Sequence, residues 1–153
     1  MTKIFSCVLL ILSSLVVKAQ YGSINAILDR LEAKKGINKN LKDENIDNTK
    51  FVLIKEFSDH TERSFIIIKG KIATYVEIFD DKKSGETSSN VFSGDVVRTN
   101  HNIVSVRADK LEGAKIAIPV SKTFLMTKQK EVLYLIDINS KDRWIEESAI
   151  NKK

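Results

Sequence analysis

The sequence contains very few of the residues that form disulfide frameworks, thiol active sites and metal centres. Its 153 residues include one cysteine, Cys7, and two histidines, His60 and His101. A single cysteine excludes an intramolecular disulfide and any zinc site built on several thiolates. The fold must therefore be stabilised by a packed core, and a chain of this length can bury enough surface for one domain.

The sequence also lacks an apolar run long enough to cross a membrane as a helix. Its longest, residues 4–17, would extend about 21 Å as a helix, short of the ~30 Å hydrocarbon core. Lys3 precedes this run and a Val-Lys-Ala segment ending at Ala19 follows it, which is typical of a cleaved secretory signal peptide. We expect cleavage after Ala19, with Gln20 as the first residue of a cysteine-free, exported protein in the periplasm or outside the cell. An uncleaved signal anchor is the alternative.

Charge of one sign is not concentrated anywhere in the chain. The 25 basic and 20 acidic residues give a net charge of +5, and cleavage would remove Lys3 and Lys18. Basic residues are scattered, with acidic neighbours close by, whereas a nucleic-acid surface groups them on one face with aromatic residues. We therefore expect a solvated surface of mixed charge and no nucleic-acid partner.

One segment has the periodicity of a helix. Over residues 23–35 apolar side chains recur at i, i+3, i+4 and i+7, with Ser23 as a plausible N-cap and Gly36 as a C-cap. A helix this short is marginal alone. We expect it to pack on the sheet formed by the residues that follow.

The next segment, residues 37–50, is polar and is predicted to be a linker in which Leu41 and Ile46 are the only apolar anchors. The predicted organisation is a cleaved signal peptide, a helix with its linker, and an antiparallel β domain that forms one globular unit with the helix: residues 1–19, 20–50 and 51–153.

From residue 51 onward apolar and polar residues alternate with the period of a β-strand. Strands are predicted at 51–57, 64–69, 71–79, 90–98 with a break at Gly94, 102–107, 115–120, 123–127, 131–138 and 143–147. Residues 109–113 are predicted to be a turn or a single helical turn, and Gly70 a tight hairpin. Short connections favour an antiparallel meander. The predicted fold is mainly β (α+β), a strongly bent sheet or small barrel of about eight strands with the short helix packed on it.

The sequence also predicts which faces of individual strands are buried and where one strand ends. Both faces of 131–138 and of 71–79 are apolar, which indicates strands covered on both sides. Between residues 102 and 107 the alternation is clean and places Val104 and Val106 inward. Pro119 has no N–H to donate, so its strand is expected to end there or to lie at an edge.

The two histidines do not form a predicted metal site. His60 lies in the first connection of the meander and His101 in the fourth, and such connections face opposite ends of the sheet. We therefore expect each histidine to be a solvated turn residue. Asp59 and Glu62 flank His60, but three ligand types in one short loop are common by chance. Asp80, Asp81 and Glu86 lack the ligand spacing of a calcium loop. We expect no metal and no cofactor.

No catalytic motif is present either. The sequence has no G-x-S-x-G elbow, no phosphate-binding P-loop and no G-x-G-x-x-G turn. The nearest carboxylate pair, Glu146 and Glu147, would point to opposite faces of its predicted strand. We therefore expect that the protein is not an enzyme.

The remaining signals are aromatic. Trp144, the only tryptophan, lies beside Arg143, and both residue types are common at interface hot spots. The pair is the candidate interface, although burial of Trp144 in the core is the favoured interpretation. Phe65, Ile67, Tyr75 and Phe79 would line a ligand cavity if the sheet closes, or simply fill the core.

Two functional hypotheses follow. The first is a non-catalytic interaction protein of the cell envelope, such as an inhibitor, an immunity protein or an accessory subunit, that binds a protein partner. The alternative is a small periplasmic barrel that carries or senses an apolar small molecule. A carrier needs a continuous apolar cavity of a few hundred cubic ångströms, whereas an interaction protein needs a filled core and an exposed patch.

Overall fold

The computed structural model describes residues 41–99 and 102–150, which belong to one compact unit, Asn38–Lys153. The predicted signal peptide and the predicted helix at 23–35 lie outside the described residues, as does His101.

Eight antiparallel strands follow one another in chain order and close into a barrel. They are β1 Thr49–Glu56, β2 His60–Lys69, β3 Ile72–Asp81, β4 Thr87–Arg98, β5 Ile103–Leu111, β6 Ala114–Gln129, β7 Val132–Asp137 and β8 Arg143–Glu146. A 3-10 helix, Leu41–Asp43, precedes them and a short helix α1, Glu147–Ile150, follows. Closure rests on two pairs between β1 and β8, Phe51 with Glu146 and Val52 with Ile145. The predicted antiparallel meander is confirmed, and the sheet is a closed barrel.

The hairpin turns depend on residues that tolerate positive φ. The predicted hairpin at Gly70 is confirmed, since this residue has φ of 59° directly after β2. The turn predicted over 109–113 is confined to Glu112 and Gly113, with φ of 50° and 81°. Residues 109–111 instead extend β5, because Leu111 pairs with Phe92 of β4. Pairing with a distant strand has overridden the local turn propensity.

The two strands predicted at 115–120 and 123–127 form one long strand, β6. The expectation that the strand ends at Pro119 is therefore wrong. The β5–β6 register nevertheless shifts between the pairs Lys110–Lys115 and Ala108–Val120, which leaves Pro119 in a bulge. A bulge does not require the N–H that proline lacks.

The barrel interior is filled by one face of each strand. In β7 the inward side chains are Leu133, Leu135 and Asp137, all buried, whereas Val132 and Tyr134 on the other face are partly exposed. Coverage on both faces of this strand was predicted, and that prediction is wrong. A barrel strand has a single inner face, and the outer apolar side chains of β7 remain partly exposed.

The inward-facing residues of β5 and β2 can be compared with those that the sequence predicts. Val104 and Val106 are buried, as predicted from their clean alternation. In β2, however, Ile66 and Ile68 face the core, and Phe65 and Ile67 are only partly buried. Residues 65–68 are all apolar, so this strand shows no alternation of apolar and polar residues. The sequence therefore does not indicate which of its two faces is the inner one.

Residues 41–47 close one end of the barrel. Leu41 and Ile46, the two predicted anchors, are buried in the core cluster. The Arg98 guanidinium donates hydrogen bonds to the carbonyl oxygens of Leu41 and Glu44, and burial lowers the pKa of Arg98. Lys128 Nζ lies 2.6 Å from the Glu44 carboxylate. A cavity of about 200 Å³ also lies at this end, and its lining includes Ile46, Ile68 and Arg98.

Candidate functional site

Two cavities open at the mouth formed by the β1–β2, β3–β4, β5–β6 and β7–β8 connections. Their volumes are about 170 and 220 Å³, and both are lined by Glu62, Ser64 and Glu77. We call the smaller cavity the cup. Its charged lining residues are Lys55, Glu62, Glu77, Lys122, Asp137 and Asp142.

Aromatic side chains fill the barrel beneath the cup. Trp144 is 2% exposed, and its ring centroid lies 6.0 Å from that of Tyr75 and 5.8 Å from that of Phe124. Phe92 stacks on Tyr75 at 5.7 Å. The indole Nε1 of Trp144 is buried and has no hydrogen-bond partner among the described residues. The cup thus ends on an aromatic floor that contains one unsatisfied donor.

The two residues of the candidate interface lie on opposite faces of β8. Trp144 belongs to the core, the interpretation that the sequence favoured. Arg143 is exposed, and its guanidinium lies 4.1 Å from the centroid of the Tyr134 ring and donates a hydrogen bond of 2.6 Å to Gln129. Of this pair, only Arg143 is available to contact a partner at the surface.

The positive charges of the cup are largely engaged. Lys55 Nζ lies 2.7 Å from the carboxylate of Asp142. Burial opposes the charge on Asp142, but hydrogen bonds from Lys55 and Ser140 outweigh it and lower the pKa of this carboxyl. Lys122 Nζ lies 4.9 Å from the Tyr75 ring centroid, in a cation–π contact.

The negative charges of the cup are less fully engaged. Glu77 accepts a hydrogen bond from the Tyr75 hydroxyl, and burial together with this bond raises the pKa of Tyr75 well above its ordinary value. Neither Glu62 nor Glu77 forms an ion pair with a lysine or arginine of the described residues. Both carboxylates face the two cavities, and the basic group beside Glu62 is the His60 ring, whose Nε2 lies 3.6 Å away.

An aromatic stack forms the rim beside the cup. The His60 ring lies between Phe57 and Phe79, with centroid distances of 4.3 and 4.6 Å. Its Nδ1 is 2.7 Å from Asp59 and its Nε2 is 3.6 Å from Glu62. We call Phe57, His60 and Phe79 the rim stack. Phe57 and Phe79 remain 43% and 41% exposed, whereas the His60 side chain is largely covered, contrary to the prediction of a solvated turn residue.

Several carboxylates that the sequence raised as metal or catalytic candidates have structural partners. Asp80 accepts two hydrogen bonds from Arg63, and Asp81 accepts the N–H groups of Lys83 and Ser84. Glu147 is 2.7 Å from a lysine of β1. Within residues 41–99 and 102–150, no group of three or more His, Cys, Asp and Glu is arranged to hold a metal ion.

None of the helices in the described part of the chain is long and apolar enough to cross a membrane. No protein-family model matches the chain, and no curated protein or solved structure has significant similarity to it. Function must therefore be inferred from the geometry of the barrel mouth.

Proposed function

We propose that this protein is a non-catalytic binding protein that acts in the cell envelope after export and contacts a protein partner through the rim stack. The observation that carries the proposal is the pairing of a filled barrel interior with two exposed phenyl rings at one mouth. Exposed aromatic side chains held in fixed positions are typical anchors of protein interfaces.

The rim stack is pre-organised. His60 is sandwiched between the two phenyl rings, and the Phe57 N–H donates a hydrogen bond of 2.9 Å to the His60 carbonyl across the β1–β2 connection. A partner could bury these rings with little loss of side-chain conformational entropy, because their positions are already set by packing. An inhibitor, an immunity protein and an accessory subunit each act by binding a protein partner, which is what the rim stack would do here.

The alternative, a carrier of an apolar small molecule, has less support. The space that such a ligand would occupy is taken by Trp144, Tyr75, Phe124 and Leu135. The two mouth cavities have several charged or polar side chains in their lining. An apolar ligand would have to desolvate these groups without pairing them, which costs free energy.

Capture from the native envelope tests the proposal. The processed protein is used as bait and bound proteins are identified by mass spectrometry. We expect a partner that is retained by the wild type and lost by the double variant Phe57→Ser, Phe79→Ser. The matched control is Ile72→Ser, which removes an apolar side chain that is 59% exposed at the opposite end of the barrel. A partner kept by the rim variant and lost by the control would contradict the rim stack as the interface.

Export has its own test. Because the apolar run at 4–17 is too short to span a bilayer, the protein isolated from its native cells should begin at Gln20 and fractionate with soluble envelope or secreted proteins. N-terminal sequencing of that product decides between cleavage and the signal anchor. A product that keeps Met1 and sediments with membranes would contradict export by cleavage.

A further inference from the structure

We propose that the rim stack is a pH-sensitive binding surface, in which protonation of His60 strengthens the binding of the protein partner. This inference rests on the protein-binding function proposed above and adds the condition under which the surface binds best. The position of the imidazole carries it: the ring lies between two phenyl rings and has a carboxylate beside each of its nitrogens.

His60 is part of the surface that the partner would cover. Its ring is nearly parallel to both phenyl rings, with interplanar angles of 13° to Phe57 and 25° to Phe79. The His60 side chain is itself 19% exposed. A partner that covers the two phenyl rings therefore also covers the imidazole, and the charge of the imidazole then contributes to the free energy of binding.

The neutral imidazole donates a hydrogen bond to only one of the two carboxylates beside it. Because a carboxylate can only accept, the contact of 2.7 Å between Nδ1 and Asp59 places the single hydrogen of the neutral ring on Nδ1. Nε2 then presents a lone pair to the Glu62 carboxylate, 3.6 Å away. A proton on Nε2 converts this contact into an ion pair and places a cation between two aromatic faces.

The other charged groups around His60 come from β1, β2, β3 and the β3–β4 connection. Two of their carboxylates have basic partners, Asp80 with Arg63 at 2.7 Å and Glu56 with Lys82 at 2.9 Å. Asp81 stands opposite His60 in the β2–β3 ladder and accepts two backbone N–H groups. Within the described residues, no lysine or arginine pairs with the carboxylates that flank the ring, so protonation of His60 supplies the opposite charge.

The hydration of these flanking carboxylates determines the direction of the effect. Asp59 and Glu62 are 76% and 46% exposed, so water stabilises their charges in the free protein. The hydrogen bond from His60 lowers the pKa of Asp59 below its ordinary value, which keeps this carboxyl ionised. A partner that covers the rim displaces part of the water.

Beside a neutral ring, the two carboxylates lose hydration without an opposite charge to offset the loss, which costs free energy. Beside an imidazolium they keep that opposite charge, and the attraction strengthens as water is excluded. Binding is therefore stronger when His60 is protonated. It weakens as the pH rises from about 5.5 to about 8, the range in which imidazole groups ordinarily lose their proton.

The test repeats the capture from the native envelope at pH 5.5 and pH 8 and constant ionic strength, with the processed protein as bait at several concentrations. We expect the apparent affinity for the partner to be about fivefold or more higher at pH 5.5. His60→Gln can still donate a hydrogen bond to Asp59 and His60→Phe keeps an aromatic ring in the stack, but neither titrates, so both should bind equally at the two pH values. His101→Gln changes the only other histidine and should keep the wild-type dependence.

The outcomes separate this inference from the proposed function. If the partner depends on Phe57 and Phe79 but binds equally at both pH values, or better at pH 8, the role of His60 is wrong and the rim stack remains the interface. The same holds if the pH dependence persists in both His60 variants. If no captured protein depends on Phe57 and Phe79, the proposed function and this inference both fail.

Discussion

Replacing Trp144 with alanine is expected to lower the free energy of unfolding by about 3–5 kcal/mol, the usual range for a large buried aromatic residue. The side chain is 2% exposed and contacts Tyr75 and Phe124 at the centre of the barrel. It also stands opposite Leu135 in the β7–β8 ladder, next to the short seam that closes the barrel. The cavity left by alanine would weaken the core and this seam together. Urea denaturation followed by circular dichroism measures the effect.

Trp144→Phe provides the matched comparison. Phenylalanine retains an aromatic ring but lacks the N–H, which has no partner in this barrel. Since no hydrogen bond is removed, the loss should be confined to the smaller volume, about 1–2 kcal/mol. If Trp144→Phe costs as much as Trp144→Ala, the indole N–H must have a partner that the described residues do not provide.

The sequence predicts the strands of this barrel better than it predicts their closure. Alternation identified nearly every strand, because one face of each is buried and the other is solvated. Closure depends on only two residue pairs between β1 and β8, and nothing in the local sequence records a contact between residues so far apart. Leu41 and Ile46 were identifiable as anchors because they are isolated apolar residues in a polar segment.

The cup was not identified from the sequence, for a physical reason. Its charged residues come from five strands and from the β7–β8 connection, and each one alone resembles an ordinary surface residue. The available signal was the series of every second residue, which faces the barrel interior. In β1 the inward residues Phe51, Leu53 and Lys55 change from apolar to charged toward one end of the strand. In β3 the series Ala73, Tyr75, Glu77 does the same. Such series indicate a polar mouth once a barrel is known, but not before.

The rim stack was missed for a related reason. Phe57 and His60 are close in sequence, whereas Phe79 reaches them only because Glu62 pairs with Phe79 in the β2–β3 ladder. The local sequence around His60 predicts a solvated turn residue, because it does not show that a phenyl ring lies on each side of the imidazole. Register between strands, rather than residue type, therefore determines both features of the barrel mouth.

Replacing Gly94 with alanine should be among the most damaging single changes to this protein. An ideal Cβ at this position would lie 2.0 Å from the carbonyl oxygen of Arg107 and 2.6 Å from the Cα of Ala108. Both atoms belong to the backbone of β5, which cannot give way as a flexible side chain would. The register between β4 and β5 shifts at this point, with Ser93 opposite Lys110 and Gly94 opposite Ala108. The missing side chain is what allows the two strands to approach at the bulge.

We expect Gly94→Ala to lower the free energy of unfolding by more than about 3 kcal/mol, since the strands must separate or the bulge must be rebuilt. Gly85→Ala is the matched control, because Gly85 has φ of 76° but no atom within 4 Å of an added Cβ. Gly85→Ala should lower the free energy of unfolding by only about 1–2 kcal/mol, the cost of placing alanine in a left-handed backbone conformation. Denaturation of both variants, with amide exchange of β4 and β5 as a local measure, separates the two causes. A near-neutral Gly94→Ala would mean that β5 can shift away from β4 without loss, and that the close approach at the bulge does not fix the register of the barrel.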